Sequence, residues 1–342
     1  MILLSIIVTV SNIENYITRC IESLLDQEFC PNEYEIILIN DGSTDNSEQI
    51  CQHYAILHNN IILINQINQG VSAVRNLGLE IARGKYICFV DGDDYLISNG
   101  LSTVFSNYTL KDNPDVTIYQ RYIIKNHLDS LTEEIERQKG KRLFVGNGYN
   151  YILNQGLIFN VTSAFFKKSF LLENNLKFLD YTIAEDFLFF TSVLFLNPSI
   201  ISTSHNIYRY IIHENSITTT RSSKQAQKCV HDYLSVMKNI QQQLSNINDK
   251  AQSIYNIYTK AMNLNSFYIY KKILIANYST STYISIINEF KKAKLLPIIH
   301  TGTNLKCIIG YSIINLLTYI PILYKPTSFI YNHILAKYIL KL

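Results

Sequence analysis

Apolar residues fall along the first half of the chain in two alternating rhythms. Ile2–Val10 is an unbroken run rich in β-branched residues, the pattern of a strand buried on both faces. Asn15–Gln27 then carries Tyr16, Ile17, Ile21, Leu24 and Leu25 at helical spacing. The alternation repeats with strands at Glu35–Asn40, Asn60–Asn65 and Tyr86–Val90, and with helices at Ser47–Leu57 and Val71–Arg83. Strands joined by crossover helices predict a doubly wound, mainly parallel α/β sheet with helices on both faces. Ligands of such sheets bind beyond the carboxyl ends of the strands. Further on, Val116–Ile124 predicts a fifth strand, and Lys125–Arg142 a polar loop or excursion. Ser163–Phe166 and Ile200–Ser202 read as short strands around a helix at Ala184–Leu196.

After about residue 220 the sequence becomes rich in Gln, Asn and Lys with helical periodicity. The chain therefore divides into an α/β domain over 1–220 and a helical extension over 221–342. The last acidic side chain is Glu289, and the seven lysines beyond it meet no acid. With a net charge of +3 overall, that end carries +7 and the remainder −4. Cys307–Tyr324 holds 18 residues without a charge, at the low edge of a membrane span. Ser312, Asn315 and Thr318 recur every third residue, and Pro321 interrupts the run. A polar stripe favours a tail (291–342) lying in a membrane interface over one that crosses it or packs as ordinary core.

Composition narrows the classes. At 342 residues, 47% apolar and 17% charged, the chain is globular rather than disordered. A charge of +3 is too weak for a general nucleic-acid binder. The six cysteines form no CxxC pair and sit mostly in apolar runs, which points to a reducing compartment rather than to zinc or disulfides. Met1–Val10 has no basic n-region and no small-residue cleavage site, so it reads as a strand and not a signal peptide.

Chemistry gathers at the predicted strand ends. In Phe89-Val90-Asp91-Gly92-Asp93-Asp94 three carboxylates repel one another unless a cation lies among them, and together they offer hard oxygen ligands for Mg²⁺ or Mn²⁺. As a bare pattern it is also a solvated acidic turn. Asn40–Ser47 (NDGSTDNS) pairs a turn glycine with Ser43 and Asp45, which can cap the next helix, while Asp41 is placed to accept hydrogen bonds from a nucleobase. In Asn68–Gly78 (NQGVSAVRNLG), Gly70 opens a helix whose Arg75 can pair with a diphosphate or lie on its surface. Ala184-Glu185-Asp186 heads an aromatic helix, where the dipole favours acids. Against apolar walls and a second carboxylate, Asp186 can become a general base. Tyr208-Arg209-Tyr210 and His213 read as a strand and loop that bring Arg209 and His213 towards phosphates, or as a surface strand.

Taken with SIIVTVSN (5–12), ILINDGSTDNS (37–47), NQGVSAVRNLGLEIARGKYICFVDGDDYL (68–96) and AEDFLF (184–189), these elements resemble family 2 glycosyltransferases of the GT-A fold over roughly residues 1–220. The resemblance implies an inverting enzyme that moves a sugar from a nucleotide-diphosphate sugar to a saccharide or lipid-linked saccharide acceptor in surface-polysaccharide assembly. It implies a Mn²⁺ or Mg²⁺ ion at Asp93 with Asp94 beside it, Asp186 as base with Glu185 in support, and a nucleotide pocket lined by Thr9, Asp41, Asn68, Arg75 and Asp91. His213 would close over the diphosphate. The first strand departs from the family pattern, with Thr9-Val10-Ser11 where P-x-Y is common. The location implied is cytoplasmic, peripheral at the inner face of the plasma membrane. Two rivals fit less well. A sugar nucleotidyltransferase calls for a Gly-rich basic loop after the first strand, which Asn12–Asn15 lacks. A non-catalytic binding or scaffold protein does not account for intact Asp91, Asp93 and Asp186.

Overall fold

The computed structural model describes residues 1–124, 140–213, 222–247, 251–293, 296, 312 and 314–330. The chain forms two compact units. The first comprises Met1–Tyr151, Ile158–Tyr181 and Glu185–His213. Its strands are β1 (Leu4–Val10), β2 (Tyr34–Asp41), β3 (Ile61–Gln66), β4 (Tyr86–Asp91), β5 (Tyr95–Leu96), β6 (Val116–Ile124), β7 (Arg142–Asn147), β8 (Ala164–Lys167) and β9 (Ser199–Ile211). They build one sheet in the order β3-β2-β1-β4-β8-β6-β9-β5, with β7 on β9.

The β3-β2-β1-β4 half is parallel throughout. Every residue of β2 is buried, and so is β1 apart from Thr9, because helices cover both faces. Such strands read as continuous apolar runs without alternation. The helices α1 (Ile17–Leu25), α2 (Ser47–Leu57) and α3 (Val71–Ile81) are the crossovers. Past β4 the direction changes, since β8 is antiparallel to both β4 and β6, while β6 and β9 are parallel. The fold is a wound, mainly parallel sheet in its first half, as the strand–helix alternation predicts.

The far half of the sheet departs from the expected boundaries. The short strand at Ile200–Ser202 and the Tyr208–Tyr210 segment belong to one strand of 13 residues, β9, which bulges against β6. Arg209 turns inward and is buried, donating to the Asn206 carbonyl, so it does not face the strand ends. Most of the polar excursion expected at 125–142 lies outside the described residues.

The second unit includes Glu214–Leu342 and is helical where described. After Gly100–Val104 (α4), Gly148–Gln155 (α5), Lys168–Glu173 (α6) and Glu185–Phe195 (α7) come its main helices, α8 (Ser223–Ser245), α9 (Ala251–Ala276), α10 (Thr280–Lys292) and α11 (Tyr324–Ile330). Buried tyrosines tie this unit together. Tyr283 stacks on Tyr324 with centroids 4.0 Å apart, and the Tyr324 hydroxyl donates to the Ile273 carbonyl at 2.8 Å. A buried phenol needs such a partner. Within Cys307–Tyr324, only Ser312 and residues 314–324 are described. There Thr318 faces inward, not outward as one edge of a solvated stripe. Among the described residues no helix is long and apolar enough to cross a membrane.

Candidate active site

β4 carries the acidic cluster to its carboxyl end. Thr9, at the end of β1, lies opposite Asp91 in register, and its hydroxyl donates to Asp91 Oδ1 at 3.3 Å. The Gly92 amide then donates to the Thr9 carbonyl at 3.0 Å. A Cβ on Gly92 would stand 2.7 Å from that oxygen and 2.5 Å from Ile13 Cδ1. Only glycine lets the loop fold back so closely over β1.

This turn separates the two following carboxylates into different environments. Asp93 stays 26% exposed, and its Oδ2 lies 2.8 Å from His213 Nε2. The His213 ring stacks on Tyr16 at 4.8 Å, which holds the last residue of the first unit against the start of α1. Burial, and then the Asp91 charge, push the Asp93 carboxyl above its ordinary range, while His213 pulls it down. Asp94 is 1% exposed. Its Oδ2 accepts from Tyr208 Oη at 2.6 Å and its Oδ1 from the Ile211 amide at 2.9 Å. Burial and its two acidic neighbours hold Asp94 well above the usual carboxylate range. Both of its oxygens are engaged by β9, so Asp94 anchors the loop, contrary to the expectation that it stands beside Asp93 as a metal ligand.

Asp41 is buried at the end of β2. Its Oδ1 accepts from Gln66 Nε2 at 2.7 Å and the Gln69 amide at 2.8 Å, and its Oδ2 from the Gly70 amide at 2.9 Å. Gly70 has φ +89° at the cap of α3, a conformation that favours glycine, and has no capping side chain of its own. The carboxylate from the neighbouring strand therefore does the capping. Asn68 folds against the same turn, donating from Nδ2 to the Asp41 carbonyl at 3.0 Å. The Asp45 carboxylate reaches the Ser47 amide at 3.0 Å, as its position before α2 predicts, whereas Ser43 accepts from the Asn12 amide instead.

Arg75 differs most from expectation. It is 4% exposed and faces no open cleft. Its Nη1 donates to Glu185 Oε1 at 2.8 Å, and its Nη2 to Asp91 Oδ1 at 3.1 Å. The guanidinium also lies 5.3 Å from the Phe178 ring. Burial opposes its charge, but Asp91 and Glu185 outweigh burial and hold Arg75 more firmly protonated. Asp186 follows Glu185 on α7. Burial, and then the Glu185 charge, push Asp186 up to about 7 against the pull of Arg75. Ala184, just before this pair, has φ +61°, a strained conformation for a residue with a Cβ.

The ends of β1 and β4, the body of α3 and the head of α7 are thus linked by Thr9–Asp91–Arg75–Glu185. Asp93 and His213 join through the acidic loop. Sequence reasoning missed Tyr16 and underused Tyr208, because a ring stack between distant elements leaves no local pattern. A cavity of about 570 Å³ lies elsewhere, at the amino ends of the parallel strands, lined by Ile2, Tyr34, Asn60 and Arg83 among others. It contains none of these carboxylates. Among the described residues no group of three or more His, Cys, Asp or Glu can hold a metal ion unaided. Cys20, Cys30, Cys51, Cys88 and Cys229 are free thiols.

The wound sheet, the carboxylates on its strand ends and an aspartate raised to about 7 at the head of α7 agree with the resemblance to glycosyltransferases of GT-A type. Residues 5–173 match the profile described as Glycosyl transferase family 2, and that stretch belongs to the family. The chain is 29% identical over 255 residues to the uncharacterized glycosyltransferase YibD of Escherichia coli (strain K12), covering 72% of each protein. It is also 29% identical over 218 residues to the poly(ribitol-phosphate) beta-glucosyltransferase of Bacillus spizizenii, covering 61% of this chain but 32% of that one. The crystal structure of S. aureus TarS 1-349 in complex with UDP-GlcNAc superposes with a TM-score of 0.69 at 22% identity, over 85% of this chain and 80% of that one.

Proposed function

We propose that the protein moves a sugar from a nucleoside-diphosphate sugar to a hydroxyl of a saccharide acceptor in one displacement that inverts the anomeric carbon. The observation that carries this is the placement of Asp186 beside Glu185 at the head of α7, tied to the end of β4 by the Glu185–Arg75–Asp91 contacts, where burial and Glu185 push its carboxyl up to about 7. At that pKa a carboxylate can take the acceptor proton near neutral pH as the acceptor oxygen attacks. Glu185 holds Arg75, and Arg75 holds Asp91, so both are positioning residues. This replaces the reading of Arg75 as a partner of the diphosphate.

The donor class is supported by the fold shared with TarS, whose structure holds UDP-GlcNAc. Thr9, Asp41, Asn68 and Asp91 line the nucleotide side, with Asp41 also shaping the Gln69–Gly70 turn. Asp93 and His213 fit a divalent cation: one is a part-exposed hard oxygen donor raised by burial and by Asp91, the other a ring nitrogen 2.8 Å away. Two protein ligands leave positions for diphosphate oxygens and water, the usual arrangement for Mg²⁺ or Mn²⁺. Such an ion would offset the charge that grows on the departing diphosphate.

A relative named poly(ribitol-phosphate) beta-glucosyltransferase supports a surface polysaccharide, free or lipid-linked, as acceptor. The lysine-rich end supports a peripheral position at the anionic cytoplasmic leaflet. The test is a panel of nucleotide sugars, with and without Mn²⁺, read as nucleoside diphosphate release by the full chain. Release from at least one donor is expected, and no release from any of them overturns the assignment.

A further inference from the structure

We propose that the ledge Leu316–Leu323 of the second unit is the part of the protein that enters the membrane surface. The inference rests on the peripheral-membrane part of the function proposed above and names the side chains responsible. Leu316, Tyr319, Ile320, Ile322 and Leu323 all point to solvent, with Tyr319 at 69% and Ile322 at 75% exposure. Over the same stretch the polar residue Thr318 is buried and donates to the Asn315 carbonyl at 2.7 Å. The segment therefore shows apolar side chains to solvent as well as to its inner side, where a solvated surface helix would carry polar ones outward.

The ledge is held in that orientation. Leu317 and Tyr324 are buried on its inner side, and the Leu317 carbonyl accepts from the Tyr283 hydroxyl at 3.2 Å. Pro321 opens the tight turn that lifts Ile322 and Leu323 outward. Lysines frame it. Lys291 lies 5.6 Å from the Tyr319 ring and donates to the Thr318 carbonyl at 3.0 Å. On the other side Lys325 donates to Asn277 Oδ1 at 3.0 Å.

Charge selects the occupant. Lys291 and Lys325 beside the ledge are cations, and no acid follows Glu289 in the sequence, so the patch complements an anionic headgroup layer. A second copy placed face to face would set these lysines against their own equivalents. An apolar tip with an aromatic residue and basic flanks fits insertion between anionic lipid headgroups.

The test is cosedimentation of the full chain with vesicles of phosphatidylglycerol and phosphatidylcholine in equal parts, against phosphatidylcholine alone. Binding is expected to the anionic vesicles, and Ile322→Asp and Tyr319→Asp should each weaken it by about tenfold or more. Release of nucleoside diphosphate from donor, measured without vesicles, should be unchanged in both variants. Equal binding to the two vesicle types, or variants that bind like the parent, overturns the proposal. So does a parent dimer that Ile322→Asp dissociates, because that gives the face to a second copy. Vesicle binding and donor turnover are read separately, so loss of one leaves the other reading standing.

Discussion

Arg75 and Glu185, 110 residues apart, meet as a buried ion pair at 2.8 Å, and the same guanidinium reaches Asp91 with its other nitrogen. One planar cation thus fixes the end of β4 against the head of α7. Arg75→Ala leaves Glu185 buried without its partner and removes the cation from the part-exposed Asp91, and breaking such a buried pair costs about 3–5 kcal/mol. Urea unfolding of the variant should show a loss in that range. Arg75→Lys keeps the charge but cannot hold two carboxylates in a fork. It should fold and lose turnover, and a variant with parental turnover would remove Arg75 from the positioning role.

Asp186→Asn tests the base. The variant should bind donor as tightly as the parent in calorimetry and lose roughly 10²–10⁴-fold in transfer rate. Near-parental turnover would assign the proton to another group.

The pH profile carries the same assignment with a definite sign. Burial and Glu185 raise Asp186 from 3.8 to about 7. A base works only when ionised, so its active fraction grows as pH rises through that value. The rate should climb about tenfold per pH unit below 7 and level off above it. Full activity at pH 5 would contradict this.

Gly92→Ala places a methyl group 2.7 Å from the Thr9 carbonyl oxygen. The oxygen belongs to the central strand and cannot yield, so the acidic loop must move. Strain of this kind costs about 1–3 kcal/mol. Donor release should fall with it, and thermal melting should report the loss of stability.

Asp93 and Asp94 are adjacent but should respond differently. Asp93→Ala should abolish any gain in donor affinity on adding Mn²⁺. Asp94→Ala should retain that gain and lose about 1–3 kcal/mol of stability, because the buried Tyr208 hydroxyl and Ile211 amide lose their acceptor. Equal loss of metal-dependent binding in both variants would restore Asp94 as a ligand.

The parallel half of the sheet was legible because each strand is covered on both faces and so writes itself as an apolar run. Ser47–Leu57 and Val116–Ile124 coincide with elements of the structure at both ends. The antiparallel half was harder. β9 mixes Ser, Thr, His and Asn into its buried length and bulges against β6, so its middle carried no strand pattern. β5 has two residues and leaves no periodicity at all.

The order of residues alone determined that carboxylates would stand at the ends of parallel strands, because strand–helix alternation fixes where each chain segment exits the sheet. It also fixed the chemical character of Asp41, Asp93 and Asp186. Only tertiary structure decided how those charges are used. Asp41 caps α3, Asp94 locks onto β9, and Arg75 binds Glu185 from far along the chain, since whether a charge meets a partner or solvent depends on what distant segments bring to it. Burial, a property of the whole fold, then raised the proton affinity of Asp186, as it did that of Asp93 and Asp94.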